Sequence, residues 1–178
     1  MKKTVLVFGL ISGTIISTFM AITMALGAKE NNFDNGMIWG YTAMLVSFSF
    51  IFVGVKNYRD NYQKGLISFG QAFKTGLLIA LIASTMYVVV WMIEYNFYLP
   101  DFMDKYSAHL IQQAKESGTS AAELNSQLSQ IQQSKELYKN PLFFILITYM
   151  EIFPVGLVVS LISAAILKRK PNAVGESN

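Results

Sequence analysis

Residues 140–170 read NPLFFILITYMEIFPVGLVVSLISAAILKRK. Between Pro141 and Leu167 the single Asp, Glu, Lys or Arg is Glu151, and the run exceeds the roughly 20 apolar residues that cross a bilayer as a helix. A helix this apolar on every side has no face to offer water. Its ends are punctuated as helix ends should be. Asn140 is an N-cap residue type and Pro141 stands at the first helical position, where a missing N–H costs nothing. Lys168-Arg169-Lys170 closes the run with three cations. Residues 141–167 are therefore read as a transmembrane span, and the rest of the chain is read against it.

Three further apolar blocks precede it. The first runs from Thr4 to Leu26 behind Lys2 and Lys3; the second from Met37 to Val55, entered by Asn35-Gly36 and left at Lys56. The third is placed at 75–98, with Leu66 to Lys74 taken as interfacial, since a lysine near a helix end can snorkel to the headgroups. A cleaved signal peptide competes for the first block, because Ala25 and Gly27 fit a small-x-small cleavage rule. The block is longer than the usual hydrophobic region of about 7–15 residues, which favours a retained span. Composition agrees with four spans. The chain is 53% hydrophobic and 14% charged, against roughly 25% charged in a soluble domain. Without cysteine, disulfides, thiolate metal sites and thiol nucleophiles are excluded.

Charge distribution orients the chain. With the N-terminus in the cytoplasm, Lys2, Lys3, Lys56, Arg59, Lys64, Lys74, Lys168, Arg169 and Lys170 lie inside, nine of the fourteen basic residues. Lys29, Lys105, Lys115, Lys135 and Lys139 lie outside. This is the positive-inside pattern, and it places both termini in the cytoplasm. Residues 171–178 read as a disordered cytoplasmic tail. The polar stretch 101–139 then lies on the extracytoplasmic side and is patterned as two helices. Met103, Tyr106, Leu110 and Ala114 recur at helical spacing, and Gly118 supplies a stop. Ser120 with Glu123 forms a capping box, and Ala121, Leu124, Leu128, Ile131 and Tyr138 follow. The expected architecture is an all-α, single-domain membrane protein: four transmembrane helices with an extracytoplasmic helical hairpin between the third and fourth.

Few residues carry chemistry. Glu151 lies deep in the fourth span, where a carboxyl is costly and marks a candidate ion or ligand site. Pro154 removes an N–H and frees the Met150 carbonyl beside it. The plainer reading makes Glu151 polar glue between helices. Glu94 sits among Trp91, Tyr95 and Tyr98, an interfacial aromatic belt. At about 1.5 Å per residue it lies some 7 Å nearer the outer surface than Glu151, and the sequence permits a shared site. Gly9, Gly13, Ser17, Ala21 and Ala25 line one helix face, as do Gly156, Ser160 and Ala164, and both faces suit close helix packing within the chain or against a second copy. Lys56, Arg59, Lys64 and Lys74 are read as anchors at anionic headgroups; a nine-residue loop is a poor nucleic-acid site. His109, the one histidine, reads as a solvated surface residue. No catalytic, cofactor or metal motif appears.

The chain resembles a domain-of-unknown-function family of bacterial membrane proteins widespread in Bacteroidota. The resemblance rests on Tyr58-Arg59-Asp60, the stretch Gly65 to Gly76 (GLISFGQAFKTG), the polar helical segment before Asn140-Pro141, and Leu167-Lys168-Arg169-Lys170-Pro171. It implies four spans in an inner membrane and supplies no activity or site residue. The expected function is a non-enzymatic accessory or scaffold component of the envelope, with the bilayer and a membrane protein or second copy as partners. The alternative is a small homo-oligomeric proton- or cation-coupled transporter using Glu151. Lipid-modifying chemistry, with Glu151 and Glu94 as its acids, ranks third.

Overall fold

The computed structural model describes residues 1–30 and 36–169. Asn35 and Lys170, and the tail 171–178, lie outside the described residues. Six α-helices follow in order: α1 (Lys2–Glu30), α2 (Gly36–Tyr62), α3 (Phe69–Ile93), α4 (Phe102–Ser117), α5 (Ala121–Tyr138) and α6 (Pro141–Leu167). Four of them are long and apolar enough to cross a membrane: Lys2–Gly27, Ile38–Tyr62, Phe69–Tyr98 and Pro141–Leu167. The third of these includes a single π-helical turn, Glu94–Tyr98, that prolongs α3.

The four long helices form a bundle. Around it the order is α1, α2, α6, α3, with α3 packed most extensively, against both α1 and α6, and α2 meeting α3 across the short diagonal. Small residues permit this closeness. A Cβ on Gly9 would stand 2.8 Å from Ile82 Cβ, and one on Gly156 2.8 Å from Ala80 Cβ. Phe48, Ile51, Ile79, Ile152, Thr75 and Thr148 fill the axis with no exposed surface. Between α1 and α2 lies a reciprocal serine clasp. Ser12 Oγ donates to the Ser47 carbonyl at 2.9 Å and Ser47 Oγ to the Ser12 carbonyl at 2.5 Å. Buried hydroxyls tie helices together because hydrocarbon offers them no other partner.

The first three helices run beyond the spans read from the sequence: α1 extends from Lys2 to Glu30. α2 continues past Lys56 to Tyr62, and α3 begins at Phe69 rather than near residue 75. Ser68 is the reason for the early start of α3: its side chain accepts from Gln71 N–H while the Gln71 side chain accepts from Ser68 N–H, a complete capping box. Lys74 therefore lies inside α3, exposed on its surface. The turn between α2 and α3 winds back through left-handed Lys64 and Gly65 (φ 53° and 81°). Ile67 and Arg169 then exchange backbone hydrogen bonds of 3.1 and 2.8 Å, which fastens this turn to the end of α6.

At the other end of the bundle, α4 stops at Gly118, held at φ 68°, and Ser120 Oγ accepts from Glu123 N–H to start α5. Met103 and Ala114 are buried, while Leu110, Leu124, Leu128 and Ile131 are half-buried. Lys135 Nζ reaches Asp104 Oδ1 at 2.6 Å, joining α5 to α4. Asn140 Oδ1 accepts from Leu142 N–H at the head of α6.

Candidate functional site

The polar groups of the bundle gather towards the α4–α5 end. Glu151 projects from α6 on its uncovered side, and Tyr87 of α3, itself buried, donates its hydroxyl to Glu151 Oε1 at 3.4 Å. That bond is long, so it holds the carboxyl loosely. On the opposite flank of α6, Tyr149 and Thr85 share a hydrogen bond of 2.6 Å between their hydroxyls. Beside Thr85 a shallow apolar groove of about 400 Å³ runs along α3, lined by Ile82, Met86, Val89 and Val90.

Glu94 opens the π-helical turn, whose wide ring closes through Leu99 N–H to the Glu94 carbonyl at 2.8 Å. Single π-turns inside helices recur at functional positions. Here the turn rotates Glu94 inward. Its Oε2 is buried and finds no hydrogen-bond partner among the described residues. Of the two carboxyls, Glu151 is the one that Tyr87 bonds.

Aromatic rings close over this region. Tyr138 of α5 packs on Phe144 with centroids 4.6 Å apart, and Tyr95 meets both, at 5.2 and 5.4 Å. Trp91 stands edge-on to Phe102 at 5.2 Å, which carries the cluster into α4. Burial lifts the Tyr138 hydroxyl above its ordinary titration range. The rings touch one another, so the cluster is a packed junction between α4–α5 and the bundle. Among the described residues no three His, Asp or Glu side chains converge as metal ligands would.

At the opposite end, the basic residues read as anchors separate into two kinds. Lys56, Lys64 and Lys74 are exposed. Arg59 is only 15% exposed in its side chain: its Nε binds Asp60 Oδ1 at 2.6 Å and its Nη1 donates to the Leu167 carbonyl at 3.5 Å. Gln63 meanwhile donates to the Tyr58 hydroxyl at 2.7 Å. Arg59, held by Asp60, thus ties the end of α2 to the end of α6, a role that pattern alone does not reveal. Of the small residues, Gly9 and Gly13 lie against α3, Gly156 against Ala80 and Phe48, and Ser160 against Gly76. Ser160 Oγ donates to the Gly156 carbonyl, whereas Ser17 Oγ is buried without a hydrogen-bond partner.

Tyr87 and the Thr85–Tyr149 pair escaped the sequence reading, which took Tyr138 only as part of the α5 pattern. A tyrosine within an apolar run is itself a signal, since its hydroxyl must find a partner when buried.

A family described as a protein of unknown function (DUF4199) matches residues 7–169, and the chain belongs to it. No curated protein and no solved structure matches the chain.

Proposed function

We propose that this protein is a non-enzymatic scaffold or accessory component of a bacterial inner membrane, with both termini in the cytoplasm and α4–α5 presented as a hairpin on the extracytoplasmic side. One observation carries the proposal. Side chains from all four long helices fill the bundle axis, down to backbone-close contacts at Gly9, Gly76 and Gly156. A solute path would have to open where α3 and α6 touch through Gly156 and Ala80, and packed interiors resist such opening. Basic residues at the end formed by Lys56, Lys64, Lys74 and Lys168 support the orientation. The two short helices of the hairpin bury little between themselves, which suits a surface completed by a partner.

The second reading, proton- or cation-coupled transport, is favoured by the loosely held Glu151 and the unpartnered Glu94 Oε2. It requires a path between protomers, because the axis of one bundle is filled. Purification in mild detergent after crosslinking in the membrane separates the two. The scaffold reading expects a stoichiometric partner that is lost when Leu124 and Leu128 are replaced by Ser. Single cysteines test the orientation cleanly in a chain that has none. Ala122→Cys should react with an impermeant maleimide in cells with a permeabilised outer membrane, and Asn61→Cys only after the inner membrane is opened; the reverse order overturns the topology.

A further inference from the structure

We propose that α6 packs against α6 of a second copy, through a two-fold contact centred on Glu151 and the Met150 carbonyl. The inference deepens the scaffold reading and rests on it for the placement of α6 in a bilayer. α6 leaves a broad face uncovered by the rest of the chain. Its most apolar window is 22% buried, against 39%, 39% and 44% for the other three. Leu142, Leu146, Met150, Val158 and Ile162 stand outward along that helix, Met150 at 74% exposure.

An uncovered helix face alone would suit lipid. This one carries two polar groups in the middle of the apolar stripe. Glu151 is exposed, and Tyr87 meets one of its oxygens at 3.4 Å. Pro154, also exposed, lies inside α6 and has no N–H to give to the Met150 carbonyl four residues earlier. That carbonyl opens on the side where Met150 and Pro154 project. At about 1.5 Å per residue both groups lie roughly 15 Å from the start of α6, within the hydrocarbon, where an unsatisfied polar group costs several kcal/mol.

The pair is self-complementary. A carboxyl in hydrocarbon keeps its proton and so offers one O–H donor, and the Met150 carbonyl is an acceptor one residue away. A two-fold axis along the membrane normal sets parallel α6 helices side by side at equal depth. Each Glu151 carboxyl then donates to the Met150 carbonyl of the other copy, so that the Glu151 O–H and the carbonyl freed by Pro154 are satisfied by the same contact. A lipid tail satisfies neither.

The chain lacks cysteine, so one introduced thiol per copy reports on its neighbour without background. Met150→Cys and, as control, Val46→Cys on the exposed face of α2 are oxidised in native membranes, and the yield of disulfide dimer is compared. The expected result is a yield about three- to tenfold higher for Met150→Cys. In that background Glu151→Leu should abolish the excess, while Glu151→Gln, which keeps a donor, should retain it. Equal yields from positions 150 and 46 overturn the dimer. So does an excess that survives Glu151→Leu, as does crosslinking of Met150→Cys to a different polypeptide; that last result leaves the scaffold reading standing. Far-UV dichroism of each purified variant establishes that the bundle is folded before its yield is compared.

Discussion

Gly156→Ala adds one methyl group to the α3–α6 seam. The new Cβ would stand 2.8 Å from Ala80 Cβ and 3.1 Å from Phe48 Cζ, whereas carbon pairs rest at about 3.5–4.0 Å. Neither neighbour can turn aside, because an alanine Cβ has no rotamer and Phe48 is fully buried. The helices must separate instead. Overpacking of this kind costs about 1–3 kcal/mol, against which alanine regains up to about 1 kcal/mol of helix propensity over glycine. Ala80→Gly removes the obstructing methyl, so in a double-mutant cycle the two changes should couple by about 1–3 kcal/mol in the favourable direction. Gly40→Ala, where the added Cβ meets open space, should be neutral or slightly stabilising. The assay is unfolding in mixed micelles by increasing denaturing detergent, followed by far-UV circular dichroism. Wild-type stability in Gly156→Ala, or a deficit that Ala80→Gly leaves unrepaired, would refute the account of the seam.

In the serine clasp each hydroxyl donates to the other serine's carbonyl and the two hydroxyls lie 2.9 Å apart, so Ser12→Ala and Ser47→Ala should each cost roughly 0.5–1.5 kcal/mol and the double variant should depart from their sum; the same unfolding assay measures the departure. Helices α4 and α5 should respond to pH at both extremes, their pairing in alkali and the first turn of α4 in acid. Bonding to Asp104 raises Lys135 above its ordinary range, so its contribution is complete below about pH 10.5 and fades as pH rises through the raised value. Bonding to Lys105 lowers Asp101, so its stabilisation of the first turn of α4 is complete above about pH 3.8 and fades as pH falls through the lowered value. Spin labels at Ala108 and Ser129 should report separation of the helices in alkali, and Lys135→Gln should remove that transition. Finally, Glu151→Ala should lower bundle stability by roughly 1–2 kcal/mol while Glu151→Gln stays close to wild type, since the amide keeps a donor and an acceptor; equal losses in both would mean that the charge itself is needed.

The four long helices are legible in the sequence because hydrocarbon imposes one demand on every residue of a span, and blocks such as 141–167 meet it without exception but Glu151. The start of α3 is less so. Lys74 looks like the edge of a span, yet the capping box of Ser68 and Gln71 starts the helix earlier, and local capping outweighs one snorkelling lysine. The Ile67–Arg169 pairing leaves no trace in side-chain pattern, since it is made by backbone groups that every residue carries. Arg59 illustrates the same limit. A basic residue at the end of an apolar run reads as a headgroup anchor, and only the arrival of α6 beside α2 turns its guanidinium towards the Leu167 carbonyl. Glu151 stands out because an acid in an apolar run is costly; its partner Tyr87 comes from another helix, and nothing local to either residue announces the other.

The central claim is that the bundle is a filled scaffold and no conduit. The most direct measurement is proton and monovalent-cation flux through purified protein in proteoliposomes under an imposed pH gradient, wild type beside Glu151→Gln. The account predicts flux equal to that of protein-free liposomes for both. Flux in the wild type that a well-folded Glu151→Gln variant loses would contradict it, and would make Glu151 the coupling site of a transporter.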